Sequence, residues 1–473
     1  MQGSTQTRHE HRRWMLALLA LTLVALAMRW YYVSTAMVYE PIRGDTREYF
    51  AYAWNILHHG IFSDARPGSA VIIPNDYRDP GYPLLLAIWM KLLGTGAAWY
   101  AAVLLFQALL GALTVTAAVQ FGQYWLPRRA AMAAGLLMAV WPHSIAIDGY
   151  LLTETLFGFL CATGLLLWGA ACRHDSPYAA ATAGATFSLA ALTNAMLLPF
   201  AALLGLMLAW RRPALRRLCL ILVASSLVLP ACWAIRNGGL PPAAAGASST
   251  DRALQNLVQG TRMDYHPAWR TWIFGTPSEQ AKARVTLDAI QSEYELLRTS
   301  PRQGASEILG RMGRHPWRYA AWYLFGKPYA LWNWSIQIGQ GDIYPYPTMN
   351  SPFRTHVAWL VLEMVCRTFN PLIMLLALAS LFLVGSRRLP LATRYPSMTP
   401  DALLISASLL LVFATIVYAA LQSEPRYSIP FRSFEILLAV TTLTRIAAWR
   451  RLRTAAAAQR DEAAAAQARP DLQ

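Results

Sequence analysis

The sequence predicts an all-α polytopic membrane protein, and three observations carry that prediction. Of its 473 residues 56% are hydrophobic and only 14% charged, too apolar for a set of soluble domains. Apolar runs of about 17–25 residues, the length that crosses a hydrocarbon core, recur along the chain. The arginines between those runs fall on one side when the spans alternate.

The runs lie near 14–38, 98–122, 130–147, 155–172, 177–194, 195–210, 218–235, 356–384, 401–421 and 431–449. They give a bundle of about 10 transmembrane helices, alternatively 11–13, because several runs are short. Arg128-Arg129, Arg173, Arg211-Arg212, Arg216-Arg217, Arg387-Arg388 and Arg450-Arg451 all map to one face, which the positive-inside bias makes cytoplasmic. Both termini then lie in the cytoplasm. Arg8, Arg12 and Arg13 precede the first run, which has no small-residue cleavage site and so stays attached as an anchor.

The formal net charge of +16 is dispersed in these short clusters, so it marks topology and not a nucleic-acid surface. Cys161, Cys172, Cys219, Cys232 and Cys366 sit in or at the ends of apolar segments, without zinc or disulfide spacing. His58 and His59 are adjacent and not i, i+4, so they cannot readily share a metal from one helix face. No metal is required by the pattern, and a divalent metal is compatible with it.

Alternation divides the chain into residues 1–235, an N-terminal transmembrane module whose first outer loop is 39–97; 236–352, an outer loop domain; 353–453, C-terminal transmembrane helices; and 454–473, a cytoplasmic tail. Tyr82–Leu93 is a second, partly inserted helix interrupted by Lys91. Helical patterning over Ser278–Arg298 and Gln303–Met312 makes 236–352 a small α-helical domain. Pro316–Trp334, rich in Trp and Tyr with Arg318 and Lys327, is an interfacial helix, followed by a stiff loop through Gly339–Pro347.

The outer loop concentrates acids, aromatics and arginines. From Asp45 a helix places Phe50, Ala53, Trp54, Leu57 and Ile61 on an apolar stripe, with Asp45, Glu48, Tyr52 and Asn55 opposite, the pattern of a helix lying on a membrane surface. Asp45-Thr46-Arg47-Glu48 fits a capping box, with Gly44 admitting the chain and Gly60 ending it. An acid at this boundary equally suits a general base for a lipid-borne substrate. Local spacing does not separate the two readings.

The run G-D-x-x-x-Y-x-x-x-A-x-x-I-L-x-x-G-I-F from Gly44, followed by R-D-P-G-Y-P-L-L-L-A from Arg78, resembles the first outer loop of the GT-C superfamily of membrane glycosyltransferases. The branch it is most similar to contains protein O-mannosyltransferases and lipid A aminoarabinose transferases. Leu152-Thr153-Glu154 and Glu424-Pro425-Arg426-Tyr427-Ser428-Ile429-Pro430 add weaker similarity.

The resemblance implies a GT-C-like bundle with amphipathic juxtamembrane helices. Its function would be inverting transfer of a sugar from a polyprenyl-phosphate donor to a lipid, glycan or protein acceptor at the outer face of the bacterial cytoplasmic membrane. It implies Asp45 as catalytic base, Glu154 as a second catalytic residue that faces the cavity and helps to position acceptor or a metal, and an Arg426-Tyr427 pair lining the donor pocket. Arg78, Tyr49, Tyr82 and Asp148 complete the candidate substrate-binding set. Each has a plainer role: Arg78 pairs with Asp76 or Asp79, Glu154 sits on a helix dipole, and Arg426 snorkels to headgroups. The rival function is a transporter or flippase for an amphipathic anionic lipid, which calls for charged or broken elements at mid-membrane. A non-catalytic assembly subunit would leave Asp45 as a cap only.

Overall fold

The computed structural model describes residues 2–241, 247–335, 347–383 and 400–467. The first apolar run becomes α1 (Gln2–Thr35), which leads through β1 (Met37–Val38) to α2 (Asp45–His59). Two glycines bound α2. Gly44 enters at φ 54°, and Gly60 closes the helix in the left-handed region with its N–H donating to Asn55 and Ile56 carbonyls. Next come α3 (Gly81–Leu93) and α4 (Ala97–Gly122).

α5 (Arg128–Ala139) and α6 (Pro142–Ala146) are one broken element, bent by 57°. Pro142 cannot extend the preceding helix, and Trp141 before it is extended at φ −69°, ψ 115°. The bend turns Ile147–Gly149 back into the protein ahead of α7 (Glu154–His174). Ser176 caps α8 (Pro177–Thr193), and α9 (Phe200–Arg211) and α10 (Arg216–Gly238) follow.

The next four helices form a separate packed group: α11 (Ser249–Thr261), opened by a Ser248/Asp251 capping box, then α12 (Tyr265–Phe274), α13 (Pro277–Thr299) and α14 (Pro301–Gly313). Val258, Ile290, Tyr294, Leu297 and Ile308 are its core. The aromatic segment folds as α15 (Pro316–Ala321), a π-turn, and α16 (Lys327–Trp332). β2 (Thr348–Met349) pairs antiparallel with β1, Met37 opposite Met349, and α17 (Pro352–Thr355) leads into α18 (Val357–Leu383), α19 (Pro400–Ala420) and α20 (Arg432–Gln467).

The main core runs through α1, α4, α5, α7 to α10, α19 and α20, where Trp125, Trp141, Trp168, Phe200 and Phe434 are buried. A second cluster of Tyr49, Tyr82, Leu86, Trp99, Val103, Leu151 and Ile429 lies beneath α2 and α3. Each predicted run is helical over most of its described length. Among the described residues six helices are long and apolar enough to cross a membrane, seven if the bent pair is one span, against about ten expected. α8 and α9 fall short in length, and α20 carries Arg432, Glu435 and Arg445 in its apolar half. Gly339–Tyr346, Arg387 and Arg388 lie outside the described residues.

Two details of the surface-helix reading are corrected. Tyr52 and Asn55 are buried, not solvated: the Tyr52 hydroxyl donates to Asn75 Oδ1, and Asn55 Nδ2 donates to the Ser63 and Ala65 carbonyls. The loop after α2 folds back over that face, satisfying polar groups that would otherwise need water. Lys327 is also buried, donating to the Ala419 and Leu421 carbonyls at the end of α19. A cation there meets the negative end of the helix dipole.

Among the described residues two buried ion pairs lie inside the bundle. Arg29 on α1 meets Asp148 at 3.1 Å with both side chains 1% exposed, and Arg432 meets Glu435 at 2.8 Å. Gly111 on α4 makes room for the first pair. A Cβ there would lie 2.6 Å from Arg29 Nε and closer still to Asp148 Oδ2. Gly111→Ala should therefore destabilise by about 1–3 kcal/mol in thermal unfolding of the detergent-solubilised protein. Gly310→Ala, inside α14 with nothing within 4 Å of the added methyl, should not lower the midpoint.

Candidate functional site

Asp45 is the first residue of α2, yet it does not cap it: no side-chain capping bond is present at this terminus. Its carboxylate is held instead between two guanidiniums. Arg78 Nη2 donates to Oδ1 at 2.8 Å and Arg426 Nη1 lies 2.8 Å from Oδ2. Each arginine is turned by a second acid behind it, Arg78 Nε donating to Glu48 and Arg426 Nε to Glu154. The capping-box reading of Asp45 and Glu48 is thus replaced by an ion-pair cluster of three acids and two arginines.

Local sequence explains how each member arrives. Arg78 stands just ahead of Pro80-Gly81, where α3 begins, and the two acids flanking it are engaged elsewhere. Asp79 is gripped through both oxygens by Arg252 of α11, at 3.1 and 3.0 Å, and Asp76 accepts from the Ser249 hydroxyl at 2.7 Å. The expected local pairing of Arg78 with Asp76 or Asp79 is therefore not formed. Arg426 lies in the turn Pro425–Phe431, where Pro425 and Pro430 restrict the backbone. It is 13% exposed and doubly paired, so it does not snorkel.

Tyr49, one turn beyond Asp45, lies under the Arg78 guanidinium at 5.2 Å and meets Tyr82 edge-on at 5.4 Å. Tyr82 is fully buried and its hydroxyl donates to Gln107 Oε1, so it supports Tyr49 from below and does not line an open surface. Tyr427 stacks on Tyr418, ring planes 8° apart at 4.9 Å, with Arg426 at 5.9 Å from its face. Asp148 is displaced from the cluster. It pairs with Arg29 and accepts from Thr155 Oγ1 at 2.6 Å, because the Pro142 bend carries it toward α1.

Exposure grades across the site. Asp45 keeps 31% of its side-chain surface open and Glu48 28%, whereas Glu154 keeps 5%. Burial alone would push the Asp45 carboxyl up. Arg78 and Arg426 outweigh it and hold the group well below the usual carboxylate range. Glu424, buried two residues before Arg426, goes the other way: desolvation raises it to about 7 despite the nearby guanidinium. Glu48, Glu424, Tyr77 and Arg252 are members that sequence reasoning did not select. Glu424 stood in the quoted E-P-R-Y run, and Glu48 was hidden by its fit to a capping box.

Among the described residues no group of three His, Cys, Asp or Glu side chains could hold a metal ion. Both Asp45 oxygens are committed to guanidinium, so this donor set does not fit a divalent cation. What it fits is an anion of two or more oxygens, which could take the place of the carboxylate between the arginines.

No protein-family model matches the chain, and no curated protein sequence matches it. Solved structures do. The Archaeoglobus fulgidus oligosaccharyltransferase tethered with an acceptor peptide containing the NVT sequon superposes with a TM-score of 0.51 at 12% identity, over 91% of this chain and 49% of that chain. The same protein in complex with zinc and sulfate gives 0.50 at 13% identity, over 94% and 51%. ArnT from Cupriavidus metallidurans bound to undecaprenyl phosphate gives 0.36 at 13% identity over 92% and 78%, a score too low to argue from. The chain thus spans about half the length of the oligosaccharyltransferase, and what is shared is architecture. The protein has a GT-C-type fold.

Proposed function

We propose that this protein is an inverting glycosyltransferase that takes a sugar from a polyprenyl-phosphate donor at the outer face of the cytoplasmic membrane. The observation that carries the reading is the carboxylate of Asp45 clasped by Arg78 and Arg426, two cations from distant segments, each aimed by a second acid.

In the unloaded protein Asp45 is a weak base, because both of its oxygens are neutralised. A donor phosphate entering between the arginines competes for the same donors and displaces the carboxylate. The phosphate gains charge-assisted bonds to two guanidiniums held by Glu48 and Glu154, and Asp45 recovers its basicity beside the reacting sugar. Asp45 then removes the proton from the acceptor hydroxyl or amine as that atom bonds to the anomeric carbon. The bond from carbon to phosphate oxygen breaks with its electron pair going to the phosphate, whose developing charge Arg78 and Arg426 stabilise. The proton rests on Asp45 and the lipid phosphate leaves. No step is routed through a metal.

The GT-C-type fold supports a membrane setting for this chemistry. The acceptor peptide of the archaeal neighbour belongs to that protein, and for this chain the acceptor remains one bearing a nucleophilic oxygen or nitrogen.

Asp45→Asn separates catalysis from structure. Without the Asp45 charge two arginines still face two glutamates, so the protein should fold and insert normally. Transfer, measured by mass spectrometry of cell-envelope glycans and lipids in a deletion strain carrying each variant, should fall by ~10²–10⁴-fold. Affinity of the purified variant for polyprenyl phosphate should rise, because its internal competitor is weakened. Parental transfer by a folded Asp45→Asn protein would remove the base assignment.

The clasp also fixes a pH signature. The free-enzyme carboxyl is held low, so the acid limb of kcat/KM lies below the ordinary carboxylate range. Once the phosphate has drawn off the arginines and added its own negative charge, the Asp45 carboxyl titrates higher. The acid limb of kcat is therefore expected at higher pH than that of kcat/KM. Coincident limbs would show that the arginines stay on Asp45 through the reaction.

A further inference from the structure

A cleft with a volume of about 540 Å³, the size of a small-ligand site, runs beside α2 and is not used by the chemistry above. Ile42, Arg47, Glu48 and Phe50 line it on one side, and Asp64 and Arg66 on the other. Glu48 belongs to both places: it lines the cleft and orients the arginine that holds Asp45.

The charges in this cleft are unevenly committed. Of its two acids, Glu48 accepts from Arg78 and Asp64 accepts from Asn75 Nδ2 at 2.6 Å. Its two arginines are exposed, and among the described residues their side chains make no ion pair, hydrogen bond or ring contact. Other arginines on this side of the structure, Arg78, Arg236, Arg252 and Arg426, are engaged by acids or backbone carbonyls. The cleft therefore presents two free guanidiniums next to satisfied acids, with Ile42 and Phe50 as apolar wall. Such a lining takes a ligand that is part apolar or sugar-like and carries an anionic group.

We propose that this cleft is the acceptor site, and that it selects an acceptor carrying a phosphate monoester, bound by Arg47 and Arg66. The inference rests on the glycosyltransferase reading, because the cleft meets the Asp45 cluster through Glu48, which lines it and contacts the Arg78 that holds Asp45. Bidentate guanidinium–phosphate contacts anchor the charged group, and the remaining volume leaves a neighbouring hydroxyl or amine free to extend past Glu48 toward Asp45.

The test uses full-length protein in phosphatidylcholine nanodiscs and two probes, glucose 6-phosphate and dihexanoyl phosphatidic acid, with glucose as the uncharged control. Arg47→Gln/Arg66→Gln should bind at least one phosphate probe ~10-fold or more weakly than the parent, the loss of roughly one charge-assisted contact. Arg302→Gln/Arg314→Gln, which removes equal charge from exposed positions at the two ends of α14, should bind it as the parent does. The probe that binds assigns the phosphate to a glycan or to a lipid headgroup. Equal binding by parent and Arg47/Arg66 variant, or an equal loss in the control, overturns the proposal. Polyprenyl phosphate binding is read separately. It should survive in the Arg47/Arg66 variant, and its absence from the parent would overturn the donor reading whatever the probes do.

Discussion

Desolvating a carboxylate costs several kilocalories per mole unless cations meet it, and the structure around Asp45 is built to supply two of them. Neither arginine belongs to α2. Arg78 comes from the loop before α3 and is fixed because α11 takes its neighbours, Asp76 and Asp79, out of reach. Arg426 comes from the turn after α19, whose last carbonyls are held by Lys327 and approached closely by Gly260 of α11. The helices of the 249–313 group therefore contact both segments that deliver a cation to the site. The bundle supplies the rest: Glu154 opens α7, and the Tyr49–Tyr82–Gln107 stack supports the Arg78 side from below.

Much of this was legible in the chain. Helix positions followed from apolar runs, and the residues chosen at the three motif fragments, Asp45, Arg78, Glu154 and Arg426, do converge. What could not be read was who pairs with whom. Asp45 and Glu48 satisfy the spacing of a capping box, and only contacts with residues far away in sequence show that neither caps. Asp148 was placed near the site because it lies six residues before Glu154, but the Pro142 bend sends it to Arg29 instead. Tyr52 and Asn55 look solvated on a helical projection, and a loop that carries no periodic signal buries them. Among the described residues fewer helices than apolar runs meet the length and composition of a span, because α8 and α9 are short and α20 carries Arg432, Glu435 and Arg445.

Those buried pairs also bear on the transporter alternative, which called for charges or breaks within the bundle. Both exist: Arg29–Asp148, Arg432–Glu435 and the 57° bend. Each pair is nearly closed to solvent, and Arg432 is further committed to Asn370 and to the carbonyls of Trp332 and Asn333. Charges locked in this way serve packing and register better than passage of an anion. Arg78 and Arg426 at Asp45, by contrast, keep 13% of their surface open, as the proposed exchange of carboxylate for phosphate requires.

That exchange is the centre of the account, and a structure of the full chain with polyprenyl phosphate bound tests it most directly. The account predicts phosphate oxygens within hydrogen-bonding distance of both Arg78 and Arg426, with the Asp45 carboxylate released from them while Glu48 and Glu154 keep their contacts. Lipid phosphate bound elsewhere, with Asp45 still clasped by both arginines, would contradict it.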